Sequence, residues 1–208
     1  MKTYCAIIGD MNKSRSLPRR GVVQRRFGHA VAKINDEFAD DVASRFLITL
    51  GDEFQGLLTT PAVSYQLIRR FQDLMHPVPF AFGVGVGTLS TPLKKEAALG
   101  MDGEVFYHAR QALGNAKHAK RPVVYSFDAE GMRLVNALAA LMERQWLRLT
   151  PRQKQIVQLL HNHPAKDVAR KLHISPQAVS KAGASAAAKE LAEAAGALRE
   201  FLERLNKP

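Results

Sequence analysis

The sequence predicts an α+β chain, a βαββαβ domain over residues 1–147 followed by a small all-α helix-turn-helix domain over 148–208. Three observations carry that prediction. Apolar runs of strand length alternate with stretches of helical period through the first half. Two of those runs, Phe46 to Leu50 and Phe54 to Leu58, are parted only by Gly51-Asp52-Glu53, the pattern of a hairpin. From Thr150 the strands stop, and two short helical patterns meet at His173-Ile174, with Ser175 and Pro176 opening the second.

Tyr4 to Gly9 is a continuous apolar run, the pattern of a strand buried on both faces. It ends at Asp10, and the polar loop Met11 to Ser16 follows. From Pro18 the period turns helical through Val22, Val23, Phe27, Ala30, Val31 and Ile34, and Pro18 suits a first helical position. A basic block, Lys13, Arg15, Arg19, Arg20, Arg25 and Arg26, covers the loop and the first turns. The helix closes around Asn35 to Phe38, and the hairpin runs from about Arg45 to Thr60. Its turn needs Gly51 for backbone freedom, and Asp52 is a common turn residue. Pro61 opens a second amphipathic helix through Leu67, Ile68 and Phe71, which Met75-His76-Pro77 breaks. Val78 to Leu89 then alternates Phe and Val with Gly83, Gly85 and Gly87, leaving one strand face bare for a closely packed helix.

Strand, helix, strand, strand, helix, strand is the ferredoxin-like split order, with the first and third strands as sheet neighbours. That topology brings Asp10 and the Gly51-Asp52 turn to one sheet edge. Downstream, Glu104 to Lys120 reads as a helix bearing Arg110, Lys117 and Lys120, and Val123 to Phe127 as a further strand. Asp128 caps a helix running to about Leu147. Thr150-Pro151 starts the next helix. The one opening at Ser175 carries Gln177, Ser180 and Lys181 outward, residue types that read base edges or phosphates, although a three-helix interaction domain has the same pattern. Ala182 to Leu205 is the last helix, for packing or a homodimer interface. His161, His163 and His173 lack the clustered spacing of a zinc site.

The 208 residues are 46% hydrophobic and 24% charged, ordinary for a chain with a real core. The net charge of +11 is not ordinary and favours a polyanionic partner: nucleic acid, nucleotide phosphates or an acidic surface. The lone Cys5 lies in an apolar run, so no disulfide framework exists and a reducing compartment fits. No signal peptide or apolar stretch of about 18 residues is present, so a cytoplasmic protein without a membrane partner is expected. Two readings of the carboxylates stay open. Asp10 and Asp52 cap turns, or they converge on a cation; two carboxylates with open positions suit Mg²⁺, which takes a few protein oxygens plus substrate phosphates.

Ile7-Ile8-Gly9-Asp10, Ser14-Arg15, Ile48 to Leu58, Gly83-Val84-Gly85-Val86-Gly87, Asp102-Gly103, Ala109-Arg110 and the helix-turn-helix together resemble the SatD family over nearly the whole chain. More distantly, the first domain resembles the catalytic core shared by class III nucleotide cyclases and GGDEF diguanylate cyclases. That resemblance implies a cyclase-like domain with Mg²⁺ or Mn²⁺ at Asp10 and Asp52, with Glu53 as the metal residue in the GGDEF alignment. It implies a nucleoside triphosphate near Gly51, Lys13, Arg15, Lys117 and Lys120, since Ala116-Lys117 is similar to a phosphate-binding stretch of GGDEF domains. Arg110 corresponds to a transition-state Arg and is the candidate catalytic residue, whereas Phe106 stands where class III enzymes have Asn. The expected function is a DNA-binding regulator with a metal- and nucleotide-binding domain, with Ser175, Gln177, Ser180 and Lys181 on DNA. The alternative is an active nucleotidyl cyclase or nucleotide-oligomerising enzyme using two metal ions.

Overall fold

A computed structural model describes residues 2–12, 14 and 17–205. Lys13 and Arg15, expected near phosphate, lie outside the described residues. The chain divides into two compact units, Met1–Ala137 with Arg199–Pro208, and Leu138–Leu198.

The first unit runs β1 (Tyr4–Met11), α1 (Arg20–Glu37), β2 (Val42–Leu50), β3 (Glu53–Leu58), α2 (Ser64–Met75), β4 (Phe80–Gly87), α3 (Glu104–His118) and β5 (Val123–Ser126). The sheet order is β2-β3-β1-β4-β5. β1 pairs antiparallel with both β3 and β4, and β5 extends the sheet parallel to β4. The first four strands thus stand in the split order expected from their sequence. β1, central and covered on both faces, is apolar from Tyr4 to Gly9 for that reason, and Asp10 stands at its end.

The two faces are filled differently. On one, Phe27 of α1 and Phe71 of α2 meet Phe54, Phe80 and Phe82 of the strands. Phe54 and Phe71 stack with ring centroids 4.4 Å apart, an arrangement that adds roughly 1 kcal/mol beyond area burial. On the other face lies α3, over the glycine side of β4. A Cβ on Gly83 would stand 2.2 Å from the Ala109 carbonyl oxygen, and one on Gly85 2.2 Å from the Ala109 nitrogen. The bare strand face is therefore filled by backbone-to-backbone packing, and the small Ala109, Ala112 and Ala116 of α3 complete it.

Two local expectations are corrected. Pro18 is not a first helical position: Arg19, with φ 52°, turns the chain, and α1 starts at Arg20. Asp128 does not cap a helix directly, because a turn through Gly131 (φ 90°) comes first and α4 (Met132–Arg148) follows it.

The second unit contains α5 (Pro151–Asn162), α6 (Ala165–Leu172) and α7 (Pro176–Ser185); its boundaries fall within α4 and within α8 (Ala188–Arg204). Thr150 and Gln153 form a capping box on α5, and Ser175 accepts from the Ala178 backbone N–H at 3.1 Å to cap α7. Between α6 and α7, His173 is left-handed at φ 53° and turns the chain. Ile156, Val168, Ala169 and Val179 form a small core. The expected single helix from Ala182 to Leu205 is interrupted: α7 ends at Ser185, and Ala187 (φ 53°) precedes α8. No Gly or Pro marks that break, so the alanine run hid it. No helix among the described residues is long and apolar enough to cross a membrane.

Candidate functional site

Asp10 is the penultimate residue of β1, paired in register with Glu53 of β3 and Ala81 of β4. Registered antiparallel neighbours put their side chains on one face. Alternation assigns Ala6, Ile8 and Asp10 to the face under α3, and Leu57, Gln55 and Glu53 to the same face. The β2–β3 turn is Gly51-Asp52, and the Met11 N–H donates to the Asp52 carbonyl at 2.8 Å. The end of β1 and the hairpin tip are thereby joined directly, which places Asp10 and Asp52 at one edge.

Gly51 does not serve its turn as expected. The left-handed glycines are Gly100, Gly103 and Gly131, and Gly51 is not among them. A Cβ there would meet only an Arg20 side-chain nitrogen, at 3.8 Å. Its carbonyl accepts instead from the Gln24 side-chain amide.

α3 supplies cations to these carboxylates. Arg110 and Lys117 are two turns apart and share a helix face. Lys117 Nζ is 2.8 Å from Asp10 Oδ2. Arg110 grips Glu53 with both terminal nitrogens, at 2.5 Å and 3.0 Å. Thr49 Oγ1 adds a bond of 3.1 Å to Glu53 Oε1. Glu53 is 5% exposed, so this bidentate grip compensates a buried charge. In return the Glu53 hydrogen bonds hold the Arg110 guanidinium above its ordinary pKa. Asp52 accepts from the buried Ser14 hydroxyl at 2.5 Å, and no Lys or Arg among the described residues pairs with it. Lys120 lies just past α3 at φ 52°, exposed and joined to neither Asp10 nor Asp52.

Ser14 and Thr49 belong to the stretches that carry the family resemblance, but the sequence assigns neither a site role. A hydroxyl in a polar loop and one in an alternating strand carry no signal until the register is known. Of the residues expected on DNA, Ser175 is the α7 cap, and Gln177, Ser180 and Lys181 are exposed on its first turns. Lys166, Arg170 and Lys171 are exposed on α6.

Asp10 is a partly exposed carboxylate holding a positive group, the Lys117 ammonium, and Asp52 has no Lys or Arg partner among the described residues. Glu53 has both oxygens committed to Arg110 and Thr49.

A family model described as "SatD family" matches residues 4–191. No curated protein matches the chain. Among solved structures, a bacterial light-regulated adenylyl cyclase is 14% identical with a TM-score of 0.39, over 56% of this chain and 71% of that one. The catalytic core of a rhodopsin-guanylyl cyclase with converted specificity, in complex with ATPalphaS, is 13% identical with a TM-score of 0.36, over 54% and 72%. A regulator of polyketide synthase expression from Bifidobacterium adolescentis is 14% identical with a TM-score of 0.30, over 100% and 82%. Scores this low say nothing of activity or ligand.

Proposed function

The chain belongs to the SatD family, and from that premise we propose a cytoplasmic DNA-binding regulator whose first unit binds a nucleoside triphosphate with Mg²⁺ or Mn²⁺. The observation that carries the nucleotide half is the Lys117–Asp10 pair beside Asp52, at an edge closed by the Met11–Asp52 bond. Asp10 and Asp52 hold the cation. When bound, the cation supplies charge neutralisation and orientation for phosphate oxygens. Lys117, with a half-exposed side chain, leaves Asp10 for the phosphates, with Lys120, Lys13 and Arg15 as the further candidate phosphate partners. Glu53 serves by holding Arg110. That commitment of the guanidinium favours binding over turnover, and so places the regulator ahead of a nucleotidyl cyclase. Calorimetry with ATP and GTP, with and without Mg²⁺, tests this. Binding should require the cation, and no binding of either nucleotide at about millimolar concentration would leave the domain a scaffold.

The DNA half rests on α7. Ser175 caps it, a Pro stands at its first position, and it exposes Gln177, Ser180 and Lys181 beside the basic residues of α6. Phosphate contacts release counterions, so binding should weaken steeply with salt. Lys181→Ala is expected to weaken all sequences alike and to lower the salt slope by about one. Gln177→Ala should chiefly erode preference among sequences. Beyond these residues α7 is small and apolar, so specificity needs a homodimer pairing two such helices roughly 34 Å apart. Gel shifts with genomic fragments at two salt concentrations check this. A full-length protein that shifts nothing at low salt would make α6 and α7 a protein-interaction module.

A further inference from the structure

We propose that Glu104, His108 and Asp128 form a second metal site, for a transition metal of the Zn²⁺ class. Glu104 and His108 stand one turn apart at the start of α3, and Asp128 follows β5. One donor atom from each lies within 4.8 Å of the other two. Ligands held at about 2.1 Å from one ion are separated by roughly 3 to 4 Å. His108 Nε2 and Asp128 Oδ2 are 3.7 Å apart, inside that range and too far for a hydrogen bond.

The side chains are oriented by groups outside the cluster. His108 Nδ1 is 2.7 Å from the Val86 carbonyl oxygen. A carbonyl only accepts, so Nδ1 carries the hydrogen, and in the neutral ring the Nε2 lone pair faces the two carboxylates. Metal-bound imidazoles are commonly fixed by such an outer partner. Glu104 Oε2 accepts from the Thr88 N–H at 3.1 Å and from its hydroxyl at 3.3 Å. Gly87 makes room for that carboxylate, since a Cβ there would stand 2.9 Å from Glu104 Oε2.

Charge points the same way. The chain has 30 Lys and Arg against 19 Asp and Glu, yet among the described residues none of those cations pairs with Glu104 or Asp128. Two carboxylates therefore converge on an imidazole with no Lys or Arg between them, an arrangement that a bound cation would stabilise. One nitrogen and two oxygens suit Zn²⁺ or Mn²⁺ better than Mg²⁺, and the exposure of Asp128, 83% at its side chain, leaves the remaining positions to water. The site is distinct from the Asp10 edge. Ala81 neighbours Asp10, whereas Gly87 neighbours Glu104, six residues or roughly 20 Å along β4. A metal here fastens the start of α3 to the chain leaving β5.

The test titrates untagged, metal-stripped, full-length protein with Zn²⁺ by calorimetry, in about 5 mM Mg²⁺ to occupy hard oxygen sites. The wild type should take up one tight equivalent. Asp128→Asn, at an exposed side chain, should weaken that equivalent at least about tenfold. His108→Gln should abolish it, and Asp10→Asn should leave it unchanged. Should His108→Gln fail to fold, Asp128→Asn decides alone. Wild-type affinity in Asp128→Asn, or no uptake of Zn²⁺ by the wild type at about 0.1 mM, overturns the site.

Discussion

Gly85→Ala is expected to destabilise the first unit by about 3 kcal/mol or more, lowering Tm by roughly 10 °C. The added methyl would meet the Ala109 nitrogen at 2.2 Å and the Val105 carbonyl oxygen at 2.3 Å. Both are backbone atoms of a helix, so neither moves aside as a side-chain tip would. α3 must lift off β4, and the apolar layer of Ile8, Leu57, Ala109 and Leu113 loosens with it. Gly28 is the control, because nothing lies within 4 Å of a Cβ there and it sits inside α1. Gly28→Ala should stabilise by about 0.5–1 kcal/mol through helix propensity. Thermal unfolding of both variants decides the point, and equal Tm values would mean that α3 does not lie against the glycine face.

Lys117→Ala should move two affinities in opposite directions. Without nucleotide, Asp10 loses its built-in cation, and Mg²⁺ or Mn²⁺ should bind about threefold to fivefold tighter. That factor is small because Lys117 is 45% exposed and solvent screens the pair. With nucleotide, a charge-assisted bond to phosphate is lost, and triphosphate affinity should fall at least about tenfold. Calorimetry separates the two. A variant weakened equally for cation and nucleotide would assign Lys117 a structural role only.

Much of this was legible before the fold was in view. The apolar run from Tyr4, the hairpin around Gly51-Asp52 and the alternating glycines of β4 each have one local cause, and each became the expected element. The shared edge of Asp10 and Asp52 followed from strand order alone. What stayed hidden depends on register and on a helix beyond the split motif. Glu53 reads as a third polar turn residue, but its pairing with Asp10 turns it under α3, where Arg110 and Thr49 hold it. Lys117 reads as a phosphate residue, and only the packing of α3 shows that it already has a carboxylate. Glu104 and Asp128 lie 24 positions apart by their numbering, so no spacing rule links them. The break at Ala187 lacked any Gly or Pro to announce it.

If Asp10 and Asp52 hold a divalent cation, thermal unfolding of wild type, Asp10→Asn and Asp52→Asn with and without Mg²⁺ separates the three proteins. A ligand that binds only the folded state stabilises by RT ln(1 + [L]/Kd), about 2.7 kcal/mol at a hundredfold excess over Kd. Mg²⁺ should therefore raise the wild-type Tm and leave both variants unmoved. Equal stabilisation of all three proteins would put the cation elsewhere and remove the site.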